Sequence, residues 1–221
     1  MHARCSIYEN GRHQNYQAAL QRTVSNVWLQ PSDPRVGQAR KAGTPVLSPD
    51  RGRQPAGESV LDVGCGFGDL YGFLTAQGWT GRYVGIDFVS DLVVEGKKRF
   101  PDAELLVGDF EDHDFDEPFD YVIASGIFNF RLTQEDNWTY IVRTLEKMLA
   151  LASSGVGVDF MTTWVDFQNP IAFHTDPCVL IQNVRNLTRR FVIRQDYMPY
   201  EYALYLYHDT HIDHDNTFSP I

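Results

Sequence analysis

The chain has 221 residues, 43% of them hydrophobic and 13% aromatic, enough for one domain with its own buried core, with or without an extension. Its 19 Lys and Arg against 29 Asp and Glu give a net charge of −10, which argues against general affinity for nucleic acid, where phosphate neutralisation dominates binding. No stretch is long and apolar enough to span a membrane, no apolar signal core opens the chain, and three scattered cysteines suggest neither a disulfide framework nor a zinc site; the expected location is a reducing cytoplasm.

In chain order, residues 1–57 read as an irregular arm or lid. A helix over 16–29 would put Leu20, Val24 and Val27 on one side, and five prolines then punctuate a polar stretch. From Ser59 the rhythm changes. A buried strand over 59–63 runs into the loop Gly64-Cys65-Gly66-Phe67-Gly68, and a helix over 68–77 follows. Strands are expected over 83–87, 104–107 and 119–125, with helices over 90–100 and 135–150. A later strand covers 156–162. A helix over 176–187 opens with Asp176-Pro177, a cap followed by proline at the first helical position. Two last strands, 189–196 and 201–207, are joined so closely that they must run antiparallel. Alternating strands and helices imply a mostly parallel sheet with helices on both faces, over a domain of residues 58–207. The tail 208–221 carries His208, His211 and His214 among aspartates; it reads as an exposed polar tail, and no metal site is expected.

The glycine loop points to a cofactor. Glycines there let the backbone approach a ligand closely. A dinucleotide fingerprint wants Gly-x-Gly-x-x-Gly, but its third glycine would fall on Asp69, whose carboxylate would repel a pyrophosphate. A positively charged cofactor is favoured instead, and S-adenosylmethionine (SAM), with its sulfonium and ammonium groups, meets that requirement. Asp62, Asp87, Asp109 and Ser125 all fall at or near strand ends, where open α/β sheets bind ligands. Each aspartate alone could be a cap or turn residue; four such positions in a row are harder to explain that way.

The stretch Val60-Leu61-Asp62-Val63-Gly64-Cys65-Gly66-Phe67-Gly68 resembles the first motif of class I SAM-dependent methyltransferases. Tyr83-Val84-Gly85-Ile86-Asp87 resembles the second, Gly108-Asp109-Phe110 the adenine-contacting segment, and 119–125 the fourth strand. The resemblance covers roughly residues 58–130. It implies a Rossmann-like, seven-stranded, mostly parallel sheet with an antiparallel C-terminal strand. It also implies a cofactor site made of Asp62, Gly64, Cys65, Gly66, Phe67, Gly68, Asp87, Phe88, Asp109, Phe110, Ser125 and Gly126. Asp87 would take both ribose hydroxyls, Asp62 the amino group, and Asp109 and Phe110 would flank the adenine, with Phe88 packing on adenine or ribose. The small side chain of Cys65 reads as a loop requirement, not a nucleophile.

Acceptor-side candidates follow the fourth and fifth strands. His174 is a candidate base near neutral pH, and Asp166 would orient it or bind an amine. Ile127, Asn129, Trp164 and Tyr200 are candidate substrate contacts. Phe128, Phe130, Trp164, Phe167 and Phe173 either cage a small acceptor or pack as core. Tyr197, Tyr200 and Tyr202 are expected at the sheet edge.

The expected activity is methyl transfer from SAM to an oxygen, nitrogen or sulfur of a small molecule, as in stand-alone bacterial methyltransferases. The alternatives are a non-catalytic SAM-binding subunit and a methyltransferase for protein or RNA. The Asn- or Asp-Pro-Pro-aromatic segment of amino-group base methylation is replaced here by Ser125-Gly126-Ile127-Phe128.

Overall fold

The computed structural model describes residues 57–208. The arm, except Gly57, and the tail beyond His208 lie outside the described residues. Seven strands form one sheet in the order β3-β2-β1-β4-β5-β7-β6. They are β1 (Val60–Val63), β2 (Tyr83–Asp87), β3 (Glu104–Val107), β4 (Phe119–Ala124), β5 (Ala152–Met161), β6 (Arg190–Arg194) and β7 (Glu201–Tyr207). The helices are α1 (Asp69–Ala76), α2 (Ser90–Arg99), α3 (Asn137–Leu151) and α4 (Pro177–Val184).

β1 pairs in parallel with β2 and β4, β2 with β3, and β4 with β5. β7 inserts antiparallel between β5 and β6. The central parallel strands are covered on both faces, which is why β1 and β2 are buried along their whole length, whereas the edge strand β3 is half exposed. Alternate residues feed two cores. Leu61, Val84, Val122, Val158 and Phe160 pack with Ile141, Leu145 and Met148 of α3 and Leu180 of α4. Val60, Tyr83, Leu105 and Ile123 pack with Leu70 and Leu74 of α1 and Val93 of α2. Helices therefore cover both faces, as expected. Asp176 caps α4 as its sequence implies, accepting from the Cys178 N–H at 2.8 Å.

Three expectations shift. β5 starts at Ala152 rather than 156, because α3 passes straight into it and Ala152 pairs with Phe119. β6 stops at Arg194, whose pairing with Ala203 is the last of the β6–β7 ladder, and Arg194 Nε donates to the Asp196 carboxylate at 2.6 Å in the turn that follows. Tyr202 is not at the edge: it is fully buried in a strand paired on both sides, stacked on Phe160 with ring centroids 5.4 Å apart. Tyr200, in the turn two residues earlier, is exposed. No helix among the described residues is long and apolar enough to cross a membrane.

Candidate functional site

β1 is flanked by β2 on one side and β4 on the other, so the strand order reverses there. A cleft opens at the carboxyl ends of these strands, the place where this architecture binds ligands. Its near wall comes from Val63, Gly64, Ile86, Asp87, Phe88 and Gly108; its far wall includes Ser125, Gly126, Ile127, Phe130, Leu132 and Tyr140.

The near wall is a backbone construction. Gly64 and Cys65 both donate their N–H to the Ile86 carbonyl, at 2.8 and 3.1 Å. Gly64 sits at φ 74°, and a Cβ there would collide with Cγ2 of Ile127 on the far wall. Gly96 of α2 lets that helix approach the loop; a Cβ at Gly96 would stand 2.6 Å from the Phe67 carbonyl oxygen. Asp87 ties the loop to the next strand. Its Oδ2 accepts from the Gly66 N–H at 2.9 Å and its Oδ1 from the Val89 N–H at 2.8 Å. A carboxylate has about four acceptor positions, so Asp87 can serve several donors at once.

Asp62 lies behind this wall, only 2% exposed, and accepts from the Tyr83 hydroxyl at 2.6 Å. Burial raises its carboxyl to about 7; the Asp87 and Asp69 carboxylates push the same way and the Tyr83 bond opposes them. Cys65 points into the smaller core, where burial pushes its thiol up, so it is inert as a nucleophile. Phe67 is covered by the Arg99 guanidinium, 4.0 Å from its ring centroid. Gly68 adopts a left-handed conformation as the N-cap of α1.

Phe88 is 56% exposed at the cleft mouth. Asp109 and Phe110 line the floor beyond β3, where Asp109 Oδ1 accepts from the Glu111 N–H and Phe110 is buried beneath the Lys147 ammonium. On the far wall, Asn137 at the start of α3 braces the chain. Its amide donates to the Phe130 carbonyl at 2.8 Å and accepts from the Leu132 N–H at 3.1 Å.

Of the sequence candidates, Gly64, Asp87, Phe88, Asp109, Phe110, Ser125, Gly126 and Ile127 line the cleft together. Asp62, Cys65, Gly66, Phe67 and Gly68 support it from behind or alongside. Apart from Ile127, the acceptor candidates separate from it. His174 is 9% exposed and its Nδ1 donates to the Thr162 carbonyl at 2.8 Å; Nε2 has no partner among the described residues. Asn129 bonds through its backbone carbonyl to the Phe173 N–H, Trp164 is 58% exposed, and Asp166 and Tyr200 are exposed. None of these lines the cleft. Sequence reasoning missed Leu132, Tyr140 and Asp159. Asp159 had a visible signal, a carboxylate inside the apolar run 156–160; Tyr140 had none beyond its place on an amphipathic helix.

No Lys or Arg is among the described residues lining the cleft, whereas Asp87 and Asp109 are. A pyrophosphate does not fit such a lining; a ligand with hydroxyls, an amine and net positive charge does. An open α/β sheet with an acidic cleft at its switch point defines a Rossmann-like enzyme that binds a cationic nucleoside. The comparisons with known proteins agree. A family described as "Methyltransferase domain" matches residues 60–155. A Mycobacterium tuberculosis protein named "Putative methyltransferase Rv1506c" is 30% identical over 154 residues, 66% of this chain and 90% of that relative. A Streptomyces venezuelae dTDP-3-amino-3,4,6-trideoxy-alpha-D-glucopyranose N,N-dimethyltransferase is 32% identical over 87 residues, 38% of this chain and 36% of that one. Magnesium protoporphyrin IX methyltransferase from Synechocystis PCC 6803, solved with SAH bound, shares the fold with a TM-score of 0.60 at 16% identity, over 92% of this chain and 91% of that one. The chain belongs to the class I SAM-dependent methyltransferases.

Proposed function

We propose that this enzyme moves a methyl group from SAM to an oxygen, nitrogen or sulfur nucleophile of a small molecule held against the far wall. One observation carries the reading: an acidic, glycine-backed wall faces an apolar one across a single cleft. In this reading Asp87, at the carboxyl end of β2 and in the cleft lining, accepts from the ribose hydroxyls. Asp109 lies near the adenine amino group, and Phe110 and the exposed Phe88 ring cover the base. The Gly64–Gly68 backbone passes along the methionine portion, with Asp62 supplying negative charge behind it.

Bound SAM supplies the activated methyl group. The chain's own task is to hold a nucleophile in line with it. Such alignment is worth roughly 7–11 kcal/mol without any acid or base. Ile127, Phe130, Leu132 and Tyr140 give the acceptor an apolar, partly aromatic seat. The net charge of −10 supports a small acceptor over nucleic acid. The Streptomyces venezuelae relative, named for N,N-dimethylation of an amino sugar nucleotide, supports the same choice.

The test is calorimetric titration with SAM and its demethylated product, followed by a screen of small hydroxyl, amine and thiol acceptors for release of that product. Micromolar binding of both and turnover with a small acceptor is the expected result. Absence of binding overturns the site, and turnover only with a protein or RNA overturns the acceptor class.

A further inference from the structure

β5 is paired on both sides, by β4 and β7, and its side chains from Val156 to Phe160 should be apolar or small. Asp159 breaks that rule. It is 4% exposed, in the middle of the sheet, and burial raises its carboxyl above the ordinary range. Burying a carboxylate is costly unless donors compensate it, and a well-packed apolar residue is often as good for stability. A purely architectural need therefore does not explain an acid here.

The two donors that compensate it are informative. The Ser125 hydroxyl donates to Asp159 Oδ2 and the Gly126 N–H donates to Oδ1 at 2.8 Å. Both belong to the turn that leaves β4. Ala124 is paired with Val158, so Ser125 and Asp159 are the next residues on adjacent strands. Gly126 turns the chain at φ 73°, and the next residue, Ile127, fills the space that a side chain on Gly64 would take. Ser125, Gly126 and Ile127 all line the cleft, while Asp159 does not. A rigid strand thus grips, through one carboxylate, the segment that sets the distance between the two walls.

We infer that Asp159 is a positioning residue: it fixes the Ser125–Gly126–Ile127 lip against the glycine loop and so sets the width of the cofactor cleft. The inference rests on the reading of this cleft as the SAM site. It assigns the carboxylate no contact with cofactor or acceptor. The requirement is for two acceptor atoms in a fixed place, and a full charge is secondary. Asparagine can meet most of it, with its carbonyl accepting from Gly126 and its amide donating to the Ser125 oxygen. Leucine, of similar size, cannot. Glutamate keeps the charge but moves the oxygens by one methylene.

The test compares the wild-type chain with Asp159→Asn, Asp159→Leu and Asp159→Glu. Each is titrated calorimetrically with SAM, and amide hydrogen exchange is followed at residues 125–127 without ligand. Asp159→Asn should bind within about threefold of wild type and keep the Gly126 amide protected. Asp159→Leu should bind at least tenfold more weakly and exchange faster at Gly126, at a temperature well below its melting point. If Asp159→Leu does not fold, Asp159→Glu carries the same expectation. Equal SAM affinity in all variants, with only melting temperatures changed, overturns the inference and leaves the proposed function standing. Failure of the wild-type chain to bind SAM removes that function, and the inference with it.

Discussion

The wall built by β1, β2 and the glycine loop is held by backbone bonds between neighbouring strands, whereas the wall beyond β4 is held by side chains reaching from α3 and β5. On the first wall, Gly64, Cys65 and Gly66 each find a partner within the β1–β2 unit, and Asp87 closes the arrangement. On the second, Asn137 braces Phe130 and Leu132, and Asp159 braces Ser125 and Gly126. The consequence is a division of labour. A backbone cradle tolerates changes in its side chains as long as its glycines and its one tying carboxylate remain. A side-chain-braced wall can be remodelled by single substitutions, which suits the side of a methyltransferase that must match its acceptor.

The largest effect should come from removing the carboxylate that both ties the first wall and faces the ligand. On the proposed reading Asp87→Ala loses the acceptor for ribose hydroxyls, at about 1.5–3 kcal/mol for each charged bond, so SAM affinity should fall at least about 100-fold. It also strands the Gly66 and Val89 N–H groups, so the melting temperature should fall as well. Asp87→Asn keeps one acceptor and should fall between. Unchanged affinity in Asp87→Ala would break the claim that this wall carries the cofactor.

Next in size is the contact between the walls. Gly64→Ala adds strain of about 1–2 kcal/mol at a left-handed φ and drives a methyl group into Ile127. SAM affinity should drop roughly tenfold. The double variant Gly64→Ala with Ile127→Ala should recover part of the loss. Calorimetry on the two variants decides: no recovery would mean that the backbone alone, not the opposing wall, sets the fit.

A smaller and pH-dependent effect is expected at Asp62. Its folded carboxyl is raised to about 7, well above the ordinary 3.8. The folded state therefore favours the protonated form, and the stability that form contributes is lost as pH rises from about 4 to about 7. Asp62→Asn, which mimics the protonated acid, should gain on wild type across that window, by on the order of 1–4 kcal/mol at its upper end. A cationic amino group bound nearby favours the ionised form. SAM binding at pH 6 should then release protons in wild type and not in Asp62→Asn, as read from binding enthalpies in buffers of different ionisation heat. Parallel pH–stability curves for the two proteins would show that burial does not act on this carboxyl.

How far the two walls were legible in the sequence follows from how each is held. The strand, loop and helix around Gly64, and Asp87 about twenty residues later, are local patterns whose chemistry depends on spacing alone. The far wall depends on packing. Tyr140 lines the cleft only because α3 lies across β4 and β5, and nothing in its neighbours' spacing fixes that. Tyr202 misled for a related reason. It was expected at the sheet edge with Tyr197 and Tyr200, but 202–206 is a run of five buried residues, the pattern of a strand with neighbours on both sides. Asp159 was visible as a charge in an apolar strand, yet its meaning needed the β4–β5 register that puts Ser125 beside it.

The smallest expected effect concerns the segment after β5, where the sequence placed His174, Asp166 and Trp164 among its catalytic and substrate candidates. His174 is held by the bond its Nδ1 donates to the Thr162 carbonyl, and its Nε2 is buried with no partner among the described residues. Trp164, Asp166 and Tyr200 stand exposed away from the cleft lining. His174→Ala and Trp164→Ala should therefore leave SAM affinity within about twofold of wild type, because neither lines the cleft proposed to bind it. His174→Ala loses one buried bond, worth about 1 kcal/mol, and should lower the melting temperature by a few degrees. A tenfold loss of SAM affinity in either variant would extend the first wall to β5 and erase the division between cradle and acceptor side. Normal affinity joined to lost turnover, once an acceptor is in hand, would instead place the 162–176 segment on the acceptor's path and sharpen that division.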